Sequence, residues 1–133
     1  RGISVDRLLP LIRAALPHDR QSRTEWGVRL HLWSHAAADP DAAAVLRADL
    51  ERNRALLGSV IVQLQRQGEV RPDIDARGVA QMMIDSMHGM GFAALLGLHP
   101  AGHDPVSAFN VLVDDLRCGD GARRGVARDA CNA

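Results

Sequence analysis

Two pairs of polar side chains have a spacing that could support chemistry in a site. His31 and His35 are four residues apart, the separation of two helical histidines that share a metal ion. Leu32 stands where the metalloprotease pattern needs Glu after the first histidine, so we expect solvated histidines and no bound metal. Asp85 and His88 are three apart in an otherwise apolar segment. They would orient a polar group of a ligand or fix the register between subunits, but we favour an ion pair with an arginine, either within the domain or between subunits.

An apolar stripe is a candidate for a small-molecule pocket. Trp26, Leu30 and Trp33 recur at steps of four and three, which places them on one face of a helix. Pockets for small ligands are concave and mostly apolar, and methionine side chains repack around ligands of different shape. The same residues would also serve as ordinary core, and the sequence leaves both readings open. The predicted ligand-contacting residues are Trp26, Leu30, Trp33, Leu57, Ile61, Met83, Met87 and His88.

Catalysis has no support in the sequence. Ser59 and Ser86 lack the glycines of a nucleophile elbow, and no glycine-rich phosphate loop is present. Cys118 follows a predicted helix end, where the helix dipole disfavours a thiolate. Cys118 and Cys131 are the only cysteines and form no C-x-x-C pair, which excludes a disulfide framework and a structural zinc site. We therefore expect no enzyme and no cofactor.

The charge balance limits the partners of this segment. Sixteen basic residues offset sixteen acidic ones, so no basic field is available to hold a phosphate backbone. No apolar run approaches the roughly 18 residues of a membrane span, and no signal peptide opens the chain. We expect a cytoplasmic domain without a membrane partner. The first residue is Arg instead of Met, which predicts a piece of a longer or processed polypeptide.

The elements that must position these residues are predicted to be helices. Ala and Leu dominate, and strand formers are scarce, with no Tyr, two Phe and two Trp. Ser22 and Glu25 have the spacing of a capping box that would start the second helix. Pro10 would either kink the first helix or begin it. The fold class is therefore all-α, an antiparallel bundle of about five helices, predicted over residues 4–16, 22–38, 40–67, 76–98 and 105–118.

The fourth predicted helix is apolar on nearly every side. Between residues 79 and 98 its only formally charged side chain is Asp85. A helix that is apolar all round must be buried all round, and one small domain does not easily cover both faces. We therefore expect a second subunit against this helix, where Gly89 and Gly91 would allow a close approach.

Four segments occur in an order that resembles a known family. A break at Asp39-Pro40 separates the first of them from the second. The segments are E-W-x-V-x-L-x-L-W at 25–33, V-L-R-x-x-L-x-R-x-R at 45–54, Q-G-E-V-R-P-D-I-D at 67–75 and H-G-x-G-F-A-A-L-L at 88–96. Together they resemble the C-terminal regulatory domain of tetracycline-repressor-type (TetR family) transcriptional regulators.

The resemblance implies a function for residues 1–118. Residues 119–133 are rich in Gly, Arg and Asp without periodicity, which predicts a flexible tail. In this family an N-terminal helix-turn-helix reads an operator, while the C-terminal helices bind a small effector and form a homodimer. It implies a small apolar effector, operator DNA contacted only through an N-terminal domain absent from this chain, and a repressor. The last two helices would build a four-helix bundle across the dimer axis, through Gly91, Ala94, Leu95, Leu98, Phe109, Leu112, Val113 and Leu116.

Two other functions are compatible with the sequence. One is a helical dimerisation module without an effector, which would lack a cavity beside the tryptophan pair. The other is a helical bundle that binds a metal or cofactor, for which His31 would be the first residue to test.

Overall fold

The computed structural model describes residues 3–117, which contain five α-helices preceded by a short 3-10 helix at Val5–Arg7. The prediction of an all-α fold with about five helices is confirmed. The predicted tail at 119–133 lies outside the described residues. None of the described helices is long and apolar enough to cross a lipid bilayer. The helices are α1 (Leu8–Ala15), α2 (Arg20–Ala36), α3 (Pro40–Arg66), α4 (Ala76–Leu95) and α5 (Pro105–Leu116).

Aspartates cap the last three helices. The side chain of Asp39 accepts hydrogen bonds from the first-turn amides of α3, and Asp75 accepts one from the amide of Gly78 at 2.8 Å. Asp104 accepts from the first-turn amide of Val106 at 3.0 Å. Such carboxylates satisfy N–H groups that have no partner inside the helix. These helix starts therefore depend on contacts within three residues of each cap.

The structure corrects the predicted start of α2 and shows where Pro10 lies in α1. Asp19, not Ser22, is the N-cap of α2: its carboxylate accepts from the Ser22 amide at 2.7 Å, and the Ser22 hydroxyl accepts from the Asp19 amide at 3.0 Å. The predicted Ser22–Glu25 capping box is wrong because Asp19 offers the same reciprocal pair one turn earlier. Pro10 lies in the first turn of α1, where its missing N–H costs no helical hydrogen bond.

Helices α2 and α4 pack against each other in opposite directions. Near the start of α2, Arg23 donates a hydrogen bond to the carbonyl of Leu95 at 3.0 Å, near the end of α4. About three turns further along α2, the ring of Trp33 stacks on His88, which lies about two turns before Leu95 in α4. Helix α3 lies beside both and completes a three-helix group, which contributes Trp26, Ile61, Leu64, Val79 and Met83 to the core.

Helix α1 is held along α5 by an ion pair at each end. Arg13 lies 2.9 Å from Asp104, which precedes α5, and Asp6 lies 2.7 Å from Arg117, which follows it. These contacts make α1 and α5 antiparallel. The core between the helices is closely packed, and the largest fully buried side chains are Trp26, Ile61, Leu64, Val70 and Val113.

The connector between α3 and α4 also contacts the beginning of the chain. The carboxylate of Glu69 accepts hydrogen bonds from the Val5 amide at 2.8 Å and the Ser4 hydroxyl at 3.1 Å. The connector reaches the end of α5 as well, since the amide of Arg71 donates to the carbonyl of Leu116 at 3.0 Å. One short segment thus joins α1, α3 and α5.

We expect Glu69→Ala to lower the free energy of unfolding by about 1–3 kcal/mol, because the amide of the buried Val5 would lose its charged acceptor. Urea unfolding followed by circular dichroism measures this change. Asp73→Ala is the matched control, because the exposed Asp73 carboxylate pairs only with Arg71 of the same connector. An equal loss for both variants would contradict the role given to Glu69.

Candidate functional site

A cavity of about 420 Å³ lies between α2, α3 and α4. Cavities of roughly 300–1,000 Å³ are the usual size of small-molecule sites. Each of the three helices contributes to its walls, so a bound molecule would contact all of them. The lining residues are Glu25, Val28, Arg29, Leu32, Trp33, Leu46, Asp49, Leu50, Asn53, Leu57, Ile84, Met87 and His88.

An aromatic cluster forms the side of this cavity between α2 and α4. The rings of Trp33 and His88 stack with centroids 4.8 Å apart and planes inclined by 30°. Phe92 meets Trp26 and Trp33 edge-on, with centroids 5.4 and 5.1 Å away. Such edge-to-face pairs stabilise beyond the area they bury. The cluster therefore gives the cavity a rigid aromatic wall.

Trp26 lies behind this wall, in the core. Only 2% of its surface is exposed, and its Nε1 donates a hydrogen bond to the carbonyl of Ala15 at 2.8 Å. Its six-membered ring lies against Gly91 of α4, where a Cβ atom would be 2.0 Å from Cη2 of the indole. Only glycine permits this approach between α2 and α4.

The outer part of the cavity is polar. Glu25 and Asp49 are exposed on α2 and α3, and Asn53 lies one turn after Asp49. Arg29 extends over the face of Trp26, with its Cζ 4.3 Å from the ring centroid, the geometry of a cation–π contact. The rim therefore carries charges of both signs around an apolar interior.

His88 is neutral and has a defined tautomer. Its Nδ1 lies 2.8 Å from the carbonyl oxygen of Ile84, and because a carbonyl only accepts, Nδ1 carries the hydrogen. Burial lowers the pKa of His88 below its ordinary value of 6.5, and the charge of Arg29 acts in the same direction. The Ile84 hydrogen bond and Asp85 oppose this change in pKa but do not reverse it. Nε2 is then an acceptor at neutral pH.

The lowered pKa of His88 predicts a loss of stability on mild acidification. The unfolded chain, with a histidine pKa of about 6.5, binds the proton more readily than the folded chain. His88 thus stabilises the fold fully above this pH, and that contribution falls as the pH drops towards its folded pKa.

The measurement is urea unfolding of the wild type and His88→Gln at pH 7.5, 6.5 and 5.5. We expect the wild type to lose more stability than the variant over this range. His31→Gln, at an exposed site on α2, is the control for removing a histidine. Parallel losses in the wild type and His88→Gln would show that His88 is not buried in its neutral form.

Comparison with known proteins agrees with this arrangement of helices. The chain matches the BetI-type transcriptional repressor C-terminal domain over residues 4–115, from before α1 into the last turn of α5. The chain belongs to this TetR family. No curated protein and no solved structure matches it significantly.

Of the eight residues predicted to contact a ligand, four line the cavity of the TetR-type domain and four do not. Trp33, Leu57, Met87 and His88 line the cavity. Trp26, Ile61 and Met83 are at most 3% exposed and belong to the adjoining core, and Leu30 is half-buried on α2 outside the lining. The structure thus brings half of the predicted set to the cavity, on all three of its helices.

Several residues that line the cavity were not predicted from the sequence, although the pattern of α3 indicated one of them, Asn53. Leu46, Leu50, Asn53 and Leu57 follow each other at steps of four, three and four on α3. A polar side chain inside an apolar stripe is costly in a packed core and suits a cavity. On α2, the cavity face lies about one residue away from the predicted stripe and includes Glu25, Val28, Arg29 and Leu32.

The predicted dimer-interface residues of the TetR-type domain differ in how much of their surface is exposed to solvent. A second groove, of about 370 Å³, lies between α4 and α5 and is lined by Ser86, Gly89, Met90, Phe109 and Leu112. Leu98 is 69% exposed, whereas Ala94, Leu95 and Leu112 are half-buried. The remaining four, Gly91, Phe109, Val113 and Leu116, are buried within the protomer.

Of the polar pairs singled out in the sequence, only His88 lines the cavity. His31 and His35 are exposed, as predicted, and His35 Nε2 is 3.1 Å from Asp39. Within residues 3–117 no group of three His, Cys, Asp or Glu side chains could hold a metal. Asp85 accepts a hydrogen bond from Gln81 one turn earlier and forms no ion pair with a described arginine. Asp85 is exposed, an ion pair within the domain is absent among residues 3–117, and a pair with an arginine of a second subunit stays a prediction.

Proposed function

We propose that this TetR-type domain binds a small apolar effector in the cavity between α2, α3 and α4. In this proposal the protein is a cytoplasmic repressor, and effector binding releases operator DNA held by an N-terminal helix-turn-helix. The observation that carries the proposal is the cavity itself, which has the volume of a ligand site and an aromatic wall.

The chemistry of the cavity supports an apolar ligand. Trp33, Leu57, Ile84 and Met87 supply apolar surface from all three helices. Burial of ligand area against such surface is worth about 25 cal/mol per Å². A ligand that prefers one arrangement of the three helices over another shifts the population towards it.

A route from the cavity to the start of the chain exists within the domain. Helix α3 lines the cavity from Leu46 to Leu57 and continues into the connector that carries Glu69. Glu69 holds the Val5 amide, so a displacement of α3 would pull on the segment before α1. A coupling of about 1–3 kcal/mol would change operator affinity roughly 5- to 150-fold.

The groove between α4 and α5 supports a homodimer. Met90 and Leu112 leave apolar surface there, and Met82 and Val111 are 43% and 72% exposed on the same two helices. Gly89 has no atom within 4 Å of its would-be Cβ, so a partner helix could approach its backbone. The buried Phe109 and Val113 hold α5 in place beneath this surface.

Titration with small apolar ligands tests effector binding. We expect a ligand that binds to change the emission of Trp33 and to raise the melting temperature by mass action. Trp33→Ala should weaken binding while His31→Ala, at an exposed α2 site, leaves it intact. In the full-length protein the same ligand should release operator DNA. Binding that is unchanged in Trp33→Ala would contradict the assigned cavity.

Sedimentation equilibrium tests the dimer. The wild-type chain should sediment as a dimer, and Leu112→Arg should yield a folded monomer because it places a charge in the α4–α5 groove. Val45→Arg is the control, since Val45 is 70% exposed on α3. A wild-type monomer at high concentration would contradict the dimer. A dimer that binds no ligand would instead favour a dimerisation module without an effector.

A further inference from the structure

His88 is the one buried polar side chain among the described residues, with 8% of its surface exposed. It lies in the middle of α4, on the side that faces α2 and α3. Apolar and aromatic groups surround it, including Trp26 and Trp33. A polar ring kept in such surroundings needs a hydrogen-bond partner for each nitrogen.

One ring nitrogen has its partner and the other does not. Nδ1–H donates to the Ile84 carbonyl at 2.8 Å, which turns that side of the ring towards its own helix. Nε2 has no hydrogen-bond partner among residues 3–117, although it is not sealed from solvent, and His88 lines the cavity. The unprotonated Nε2 is an acceptor, so the apolar part of the cavity offers one directional acceptor, apart from the exposed Glu25, Asp49 and Asn53 at the rim.

The surroundings of Nε2 restrict the shape and charge of a ligand. Trp33 lies nearly parallel to the imidazole, and Leu57 and Met87 complete an apolar wall, which suits a flat ring. The rim carries Arg29 together with the carboxylates of Glu25 and Asp49. Because these charges have opposite signs, the rim does not strongly attract either a cationic or an anionic ligand. A neutral ligand fits this environment.

We propose that His88 determines the specificity of the cavity, with Nε2 accepting a hydrogen bond from an O–H or N–H group on a neutral, flat aromatic ligand. The inference rests on the proposed function, because it names the class of effector for the same cavity. A site built around a buried acceptor discriminates against an analogue that lacks the donor, since the acceptor is then left unpaired.

Phenol and anisole are the probes, because they share one ring and differ in whether the oxygen carries a hydrogen. Isothermal titration calorimetry on the whole chain at pH 7.5 measures both affinities. We expect phenol to bind roughly 3- to 10-fold more tightly than anisole, the contribution of one buried hydrogen bond. His88→Phe keeps a flat ring beside Trp33 and should bring the ratio close to one, whereas His31→Phe should retain it.

The outcomes separate this inference from the proposed function. Equal affinity of the wild type for both probes overturns the role of His88 while leaving the cavity as a binding site. A phenol preference that persists in folded His88→Phe also overturns it. Binding of neither probe at millimolar concentration overturns both proposals. If His88→Phe does not fold, His88→Leu replaces it, and the ratio in the wild type already decides whether a donor is required.

Discussion

Gly91→Ala is expected to destabilise the domain by about 1–3 kcal/mol or more, the cost of overpacking a core. The new Cβ would lie 2.0–2.5 Å from three atoms of the Trp26 ring. That ring is constrained, because its Nε1 donates to the Ala15 carbonyl and Phe92 packs edge-to-face against it. Alanine would otherwise strengthen the helix by up to about 1 kcal/mol, so packing decides the sign.

Gly27→Ala is the matched control for this substitution. Gly27 lies inside α2, and a Cβ there would have no atom within 4 Å. We expect this variant to gain up to about 1 kcal/mol from helix propensity alone. Urea unfolding compares the two variants with the wild type. A stabilised Gly91→Ala would mean that Trp26 does not pack on α4.

A double-mutant cycle assigns the Gly91 effect to its partner. Trp26→Leu removes the ring that the new methyl group would strike. The Gly91→Ala substitution should therefore cost less in the Trp26→Leu background than in the wild type, with a coupling of about 0.5–3 kcal/mol. Additive losses would place the clash elsewhere.

Trp26→Ala is expected to give the larger loss, about 3–5 kcal/mol. The substitution leaves a cavity at the junction of α1, α2 and α4 and removes the hydrogen bond that joins α2 to the end of α1. For a domain of this size the melting temperature should fall by roughly 10–20 °C, measured by differential scanning calorimetry. The affinity of the folded protein for a cavity ligand should not depend on Trp26, because this residue does not line the cavity.

Trp33→Ala is the comparison that separates core from cavity wall. Trp33 is half-buried and already borders empty space, so its removal should cost about 1–2 kcal/mol. Its effect on ligand binding should be larger than its effect on folding, the reverse of Trp26→Ala. Equal losses of stability in the two variants would contradict the division between them.

Local interactions explain which parts of the fold could be predicted. Asp39, Asp75 and Asp104 each bind amides within three residues, and Gly68 ends α3 with a φ of 74°. These contacts do not depend on the rest of the molecule, so the starts of α3, α4 and α5 follow from the residue types. The start of α2 was predicted less well because Asp19 and Ser22 are both good caps.

The residues themselves determined that the chain is helical, where most helices begin, and that Trp26 and Trp33 share one stripe of α2. Only the tertiary structure decided that Trp26 is core and Trp33 is cavity wall. Helical periodicity gives the angle between two side chains but not the distance to the opposing helix. Gly91 has no side chain and admits the Trp26 ring against the backbone of α4, whereas the residue of α4 opposite Trp33 is His88, whose imidazole stacks on the indole.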